Sequence, residues 1–143
     1  MDKGVSMKIF VVEEDSFCLE IYKGYIQLLG YTDIRLFNDF DSMMAVIDEE
    51  PDVVFLNKET CGQQGLDIVR KIKQHNQQIY VVYICGFEDS ESAMSALKYG
   101  SFDYIIKGHL EMESFHNILN KIREINNYLD NKGPVNYRLL FSR

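Results

Sequence analysis

Five short runs rich in β-branched and aromatic residues recur along the chain, and each run is followed by a segment with helical periodicity. The runs cover residues 8–12, 33–37, 53–56, 79–85 and 104–106. Most are apolar throughout, as expected for strands whose two faces are both buried. Strands that alternate with helices in this way favour a parallel sheet covered by helices on both faces, with right-handed crossovers. The sequence therefore predicts an α/β domain of three layers.

The segments between these runs carry apolar residues at spacings of three and four, the period of an amphipathic helix. The five predicted helices lie within residues 17–29, 39–49, 66–72, 90–99 and 115–129. Gly30 and Gly100 stand where the first and fourth of them should end, and Pro51 stops the second.

Composition excludes some classes of binding partner. A chain of 143 residues has the size of one domain, and its net charge is −7 with the basic residues scattered. We therefore expect no direct binding to nucleic acid or to an anionic membrane. Three cysteines without a secretory signal favour reduced thiols and a cytoplasmic location. No apolar run approaches the ~20 residues of a membrane span, and the histidines at positions 75, 109 and 116 match no metal spacing.

Polar residues follow four of the predicted strands at their carboxyl ends. In a parallel sheet these ends meet at one edge, where ligands bind at the point of reversed strand order. The residues so placed are Glu13, Glu14, Asp15, residues 57–60, Cys85, Gly86 and Lys107. We therefore place the candidate site at this edge. The acids at 13–15 have a simpler interpretation as a helix N-terminus favoured by the helix dipole.

Three motifs and their spacing resemble the receiver domains of two-component signalling, the CheY-like family, over residues 7–129. The motifs are VVEED, PDVVFLN with Gly65 eight residues past its end, and ALKYGSFDYIIK. The resemblance implies a flavodoxin-like, doubly wound sheet of five parallel strands in the order 2-1-3-4-5, with five helices. In such domains two acids and a loop carbonyl hold Mg²⁺, and an Asp that ends the third strand accepts a phosphoryl group.

The resemblance assigns a role to each residue at the candidate edge. Glu13 and Glu14 take the acid positions, Glu59 the carbonyl position, Asn57 the acceptor, Cys85 and Tyr104 the switch positions, and Lys107 the phosphate-binding position. For Cys85 and Tyr104 the plainer interpretation is packing at a strand end or in the core.

Four of these positions depart from the family pattern. The amide of Asn57 is a far poorer nucleophile than the carboxylate of the usual Asp. Glu13 and Glu14 are each one methylene longer than Asp, which displaces oxygen ligands in a site with strict Mg²⁺ geometry. Cys85 replaces a hydroxyl, and Gly108 replaces the usual Pro. We expect no cofactor, Mg²⁺ binding that is weak at best, and no catalytic residue, which makes the chain a pseudo-receiver.

Without a phosphate, Lys107 needs another anion, and Glu13 or Glu14 could reach it directly through a charge-assisted hydrogen bond. Two rivals remain open: an active receiver that is phosphorylated at a neighbouring acid such as Glu59, and a flavodoxin-like ligand-binding or enzymatic domain. The acidic loop after the first strand disfavours the second rival, because it would repel a phosphate. An engineered Asp-to-Asn change at Asn57 would not account for the substitutions at 13, 14 and 85.

We expect residues 1–130 to form the receiver-like domain and residues 131–143 a linker or tail. The YRLLF piece of that tail resembles the lead-in to a PAS sensor domain, which would make the chain part of a longer regulator or a hybrid kinase. The resemblance implies that the module acts through protein partners, or as a homodimer, at the surface of its fourth helix, fifth strand and last helix. Candidate contact residues there are Met94, Lys98, Tyr99, Tyr104, Glu111 and Ile118.

Overall fold

A computed structural model describes residues 6–61, 65–87 and 90–131. Five strands form one parallel sheet: β1 (Ile9–Val12), β2 (Ile34–Phe37), β3 (Val53–Asn57), β4 (Tyr80–Cys85) and β5 (Asp103–Ile106). Their order in the sheet is β2-β1-β3-β4-β5, and every neighbouring pair is parallel. The predicted parallel sheet and its strand order are confirmed.

Six α-helices occur in the described residues, one more than the five predicted. They are α1 (Ser16–Gln27), α2 (Phe40–Met44), α3 (Lys58–Cys61), α4 (Gly65–His75), α5 (Ser90–Lys98) and α6 (Glu111–Asn131). The extra helix is α3, a single turn directly after β3 where we expected a loop. The predicted helix at 39–49 is also shorter, because the backbone leaves the helical region at Val46 and continues as a 3₁₀ turn over Ile47–Glu49.

The ends of the helices follow the predicted chemistry. Asp15 caps α1, and its carboxylate accepts hydrogen bonds from the backbone N–H groups of Phe17 and Cys18. Gly30 and Gly100 have φ values of 96° and 113°, the left-handed conformation that glycine adopts without steric cost. These caps fix where each helix leaves the sheet and returns to the next strand.

Two apolar clusters fill the spaces between the sheet and its helices, one on each face. Along β1, Ile9 and Val11 belong to the first cluster, whereas Phe10 and Val12 belong to the second. Successive side chains of a strand point to opposite faces, so this alternation shows that both faces are covered. The first cluster includes Phe115 of α6, whose ring centroid lies 4.6 Å from that of Phe55.

Within the described part of the chain, no helix is both long and apolar enough to cross a membrane. The predicted tail at 131–143 lies outside the described residues apart from the last residue of α6, Asn131.

Candidate functional site

The carboxyl ends of β1, β3 and β5 bring Glu13, Asn57 and Lys107 together. Glu13 follows β1 directly, Asn57 ends β3, and Lys107 follows β5. The ammonium nitrogen of Lys107 lies 3.2 Å from Glu13 Oε1 and 3.1 Å from Glu59 Oε2. One lysine therefore bridges two carboxylates that come from different segments of the edge.

Glu13 is almost completely buried, with 1% of its surface exposed. Its Oε1 atom accepts a hydrogen bond from Asn57 Nδ2 in addition to the contact with Lys107. Its Oε2 atom accepts a hydrogen bond from the backbone N–H of Asp15 at 3.0 Å. Because a buried charge without partners is very unfavourable, these donors explain how the carboxylate is accommodated.

Asn57 is fully buried and uses both ends of its amide. Its Nδ2 donates to Glu13, and its Oδ1 accepts the backbone N–H of Glu59 at 2.8 Å. A carboxylate at this position could accept from the Glu59 N–H but could donate nothing to Glu13. The neutral amide is thus matched to its two neighbours, one an acceptor and one a donor.

The pKa of Lys107 is raised above its ordinary value. Partial burial by itself lowers the pKa of this ammonium, but the hydrogen bonds to Glu59 and Glu13 and the charges of both carboxylates together outweigh it. Lys107 is therefore firmly positive at neutral pH and offsets part of the negative charge of Glu13 and Glu59.

Glu14 and Thr60 join the segment after β1 to helix α3. The Glu14 side chain is exposed, and its backbone N–H donates to Thr60 Oγ1 at 2.8 Å. Of Glu13 and Glu14, the two acids expected to reach Lys107, it is Glu13 that contacts it. The role of Thr60 was not foreseen, because a hydrogen bond between two distant segments leaves no local pattern in the sequence.

The two switch positions lie in different environments. Cys85 is fully buried at the end of β4, and its carbonyl oxygen accepts the backbone N–H of Lys107 at 2.9 Å. Tyr104 is half-buried and packs against the second apolar cluster. Both residues therefore have a packing role in the sheet, and the switch role that the resemblance implies stays a prediction.

Gly108, where the resemblance leads one to expect proline, has a φ of 80°. Proline fixes φ near −65° and has no N–H group. The N–H of Gly108 instead donates to Glu111 Oε2 at 2.6 Å, which ties the loop after Lys107 to the first turn of α6. Glycine at this position therefore sets a backbone path that proline cannot follow.

The predicted contact residues do not all reach the surface. Met94 is 61% exposed and Tyr99 is 39% exposed, and Lys98 is exposed beside them. Ile118, by contrast, is 4% exposed and belongs to the first apolar cluster, because it lies on the face of α6 that packs on the sheet. Including Ile118 among the contact residues was wrong, since its side chain is not available to a partner.

An open groove of about 460 Å³ lies beside Lys107, between α1 and the β5–α6 loop. Its lining includes Phe17 and Leu110, which are 73% and 58% exposed. Phe17 lies in the first turn of α1, and most of its surface is uncovered.

The side-chain oxygen atoms that could hold a divalent cation at this edge are those of Glu13, Glu59 and Asn57, together with those of the exposed Glu14. Both Glu13 oxygens and the Asn57 oxygen already accept hydrogen bonds, and Lys107 is a positive charge in contact with Glu13 and Glu59. A cation would have to displace these donors and approach an ammonium group. The arrangement fits a divalent cation poorly.

Comparisons with known proteins agree on the family. The family model of the response regulator receiver domain matches residues 9–120. The chain is 25% identical over 139 residues to the DNA-binding transcriptional regulator NtrC of Escherichia coli strain K12, covering 97% of this chain and 28% of NtrC. It is 26% identical over 119 residues to the transcriptional regulatory protein MalR of Bacillus subtilis, covering 82% of this chain and 50% of MalR. The chain thus spans half or less of the length of these relatives.

Solved structures show the same architecture. The receiver domain of NtrX from Brucella abortus has a TM-score of 0.74 at 28% identity, covering 82% of this chain and 98% of that one. A response regulator receiver domain protein from Clostridium thermocellum has a TM-score of 0.77 at 23% identity, covering 86% of this chain and 98% of the other. Since the family model covers most of the chain, the protein belongs to the response regulator receiver domain family of two-component signalling.

Proposed function

We propose that this receiver domain transmits its signal independently of phosphorylation, through contacts with other proteins. The observation that carries the proposal is the closed network around Asn57. Its amide joins the buried Glu13 to the β3–α3 turn, and Lys107 joins Glu13 to Glu59. Receiver domains are in general signalling modules rather than enzymes. In this network Lys107 already pairs with two carboxylates, so it does not need a phosphate as its counterion.

The chemistry of the acceptor supports the proposal. Phosphoryl transfer to a receiver requires an anionic oxygen that attacks phosphorus. The amide oxygen of Asn57 is neutral and already accepts the Glu59 N–H. A neutral amide is a weak nucleophile, and turning its oxygen towards solvent would break the hydrogen bonds of a fully buried side chain.

Mg²⁺ binding that is weak at best is part of the same proposal. Mg²⁺ demands octahedral oxygen geometry and is usually held by one or two carboxylates. Here Lys107 already pairs with two of the candidate carboxylates, its ammonium nitrogen lying 3.2 Å from Glu13 and 3.1 Å from Glu59. The lysine supplies the positive charge that a cation would otherwise bring.

The surface formed by α5, β5 and α6 is the proposed contact face. Met94, Lys98 and Tyr99 are exposed on it, and Arg70 of α4 stacks on the Tyr99 ring at 4.6 Å. Exposed aromatic side chains provide apolar area at low cost in conformational entropy, and methionine side chains provide apolar area that adapts to a partner. Because the curated relatives are much longer, we infer that the domain works inside a longer regulator, as a docking module or a homodimer.

Intact-mass measurement after incubation with acetyl phosphate and Mg²⁺ tests the proposal. We expect no added phosphoryl mass on the natural chain. A matched variant with Asn57→Asp, Glu13→Asp and Glu14→Asp restores the family's acids and serves as the positive control. A stable phosphoryl group on the natural chain would refute the proposal.

In the alternative function, an active receiver, Glu59 would accept the phosphoryl group. Glu59 is exposed and pairs with Lys107 at 3.1 Å, so a phosphodonor can reach it beside the positive charge of the site. The Glu59→Gln variant separates the two functions. If the natural chain gains a phosphoryl group and Glu59→Gln does not, the rival is correct.

A further inference from the structure

A cluster of one imidazole and two carboxylates lies at the other edge of the sheet. His75 ends α4, and Asp48 and Glu50 belong to the 3₁₀ turn before β3 and to the residue after it. All three side chains are exposed, and one ligand atom from each lies within 4.8 Å of the other two. None of these residues takes part in the network around Asn57.

The spacing of these atoms suits a tetrahedral metal ion. Two ligand atoms that are each about 2.1 Å from a tetrahedral Zn²⁺ ion lie about 3.4 Å apart. His75 Nε2 is 3.1 Å from Glu50 Oε1 and 3.7 Å from Asp48 Oδ1, so the observed distances lie on either side of that value. Because the Asp48 side chain is 93% exposed, it can rotate to complete the geometry without disturbing the core.

A neighbouring residue fixes one of the ligands from outside the cluster. Asn76 Nδ2 donates to Glu50 Oε2 at 2.6 Å, which leaves Glu50 Oε1 facing His75. Outer hydrogen bonds of this kind orient metal-binding carboxylates and contribute to metal affinity. Three protein ligands leave a fourth coordination position for water or for a ligand from another molecule.

We propose that Asp48, Glu50 and His75 form a binding site for a divalent transition-metal ion of the zinc class. An imidazole nitrogen with two carboxylate oxygens suits Zn²⁺, Ni²⁺ or Co²⁺, whereas Mg²⁺ and Ca²⁺ prefer oxygen ligands alone. The ion joins the 3₁₀ turn to the end of α4. Since it binds the folded chain, it also stabilises the fold.

The sequence indicated no metal role for His75, because the histidines match no metal spacing and its partners lie far from it in the chain. Folding brings them together, since the amino ends of β3 and β4 are neighbours in the sheet. The site is separate from the carboxyl edge, so it does not depend on whether residue 57 is phosphorylated.

Isothermal titration of the full chain with Zn²⁺ tests the proposal, with Mg²⁺ titrated in parallel. We expect one Zn²⁺ per chain and much weaker binding of Mg²⁺. His75→Ala should weaken Zn²⁺ binding by about tenfold or more, and Asp48→Asn and Glu50→Gln should also weaken it. His109→Ala removes another exposed histidine and should leave the affinity unchanged.

Co²⁺ spectroscopy distinguishes this site from the cysteines, because thiolate ligands give Co²⁺ intense charge-transfer absorption. We expect a spectrum without thiolate bands and a rise in the thermal unfolding midpoint with Zn²⁺ that His75→Ala abolishes. Equal Zn²⁺ affinity in His75→Ala, strong thiolate bands, or equal binding of Mg²⁺ and Zn²⁺ would each overturn the proposal. If His75 is only an ion-pair partner, His75→Ala will lower stability equally with and without Zn²⁺, which also overturns it.

Discussion

Two partly buried lysines, one at each edge of the sheet, show that the partners of an ammonium group determine its pKa. Lys107 at the carboxyl edge contacts the carboxylates of Glu13 and Glu59. Lys73 lies in the last turn of α4, towards the amino edge, and donates to the carbonyl oxygens of Gln77 and Ile79 at 2.5 and 2.8 Å. One ammonium is therefore held by full charges, and the other by backbone dipoles.

Burial acts on both lysines in the same direction, but the outcome differs. Desolvation lowers the pKa of Lys73 to about 8, whereas the pKa of Lys107 is raised because its two carboxylates outweigh desolvation. Lys107 thus stays charged across the physiological range, and Lys73 lies close to titration. The difference suggests that the positive charge at the candidate site is an integral part of the fold.

Removing the Lys107 charge should have the largest effect. The Lys107→Met variant keeps most of the side-chain volume but leaves Glu13 buried without its ammonium partner. We expect a loss of about 3 kcal/mol in the free energy of unfolding, because an uncompensated buried charge is strongly destabilising. Urea unfolding at neutral pH measures it.

Two controls sharpen this test. Lys121→Met breaks an exposed ion pair with Asp103 and should cost less than about 1 kcal/mol. In Lys107→Met combined with Glu13→Gln, the buried charge disappears together with its partner, so much of the lost stability should return. A double variant no more stable than Lys107→Met would contradict a role for this buried charge.

Asn57→Asp should have the next largest effect. It places a carboxylate against the buried carboxylate of Glu13 and removes the amide donor. We expect a loss of about 2 kcal/mol when divalent cations are chelated, partly reversed by Mg²⁺, which could then bind between the two acids. Urea unfolding with EDTA and with Mg²⁺ measures both effects.

Asn117→Asp is the matched control, since Asn117 is exposed on α6 and should change stability little in either buffer. If Asn57→Asp is as stable as the natural chain in EDTA, then the amide of Asn57 does not support Glu13 in the way its hydrogen bond suggests.

The sheet and the residues of the candidate site were predictable from the sequence for different reasons. Strand positions follow from apolar runs such as 79–85, because burial on both faces leaves a local pattern. The convergence of Glu13, Asn57 and Lys107 follows from topology, since each of them ends or follows a strand. The pairing of Lys107 with Glu13 does not follow from topology. Glu13 and Glu14 are the same residue type, and only the three-dimensional path of the chain buries the first of them.

Features that depend on backbone geometry escaped prediction. The turn at Val46 and the short helix α3 are local choices of dihedral angle that residue periodicity does not record. Ile118 was assigned to the surface although its place in the apolar stripe of the last helix already indicated burial. The cluster of Asp48, Glu50 and His75 was missed because it forms only when two distant segments meet.

Gly108→Ala tests whether the backbone after Lys107 helps to hold that lysine in place. A side chain at φ 80° is strained, so we expect a loss of about 1 kcal/mol in the free energy of unfolding.

Gly24→Ala is a matched control of opposite sign. Gly24 lies inside α1 with open space around its Cα, so alanine there should stabilise the helix by up to about 1 kcal/mol. A destabilising Gly24→Ala or a neutral Gly108→Ala would contradict these assignments.

Lys73→Met should have the smallest effect on the free energy of unfolding at neutral pH, below about 1 kcal/mol, because it removes two hydrogen bonds together with the desolvation of an ammonium group.

The effect of Lys73→Met on stability should depend on pH. Since the pKa of Lys73 is lowered from 10.5 to about 8 in the folded chain, the unfolded chain binds more protons between these values, and stability should rise with pH there. Lys107 acts with the opposite sign, because its raised pKa stabilises the fold only until the pH rises through that value. We compare the unfolding free energies of the natural chain and Lys73→Met from pH 7.5 to 10. The difference should shift in favour of the natural chain as pH rises. A difference that stays constant would show that the carbonyl oxygens keep Lys73 fully charged.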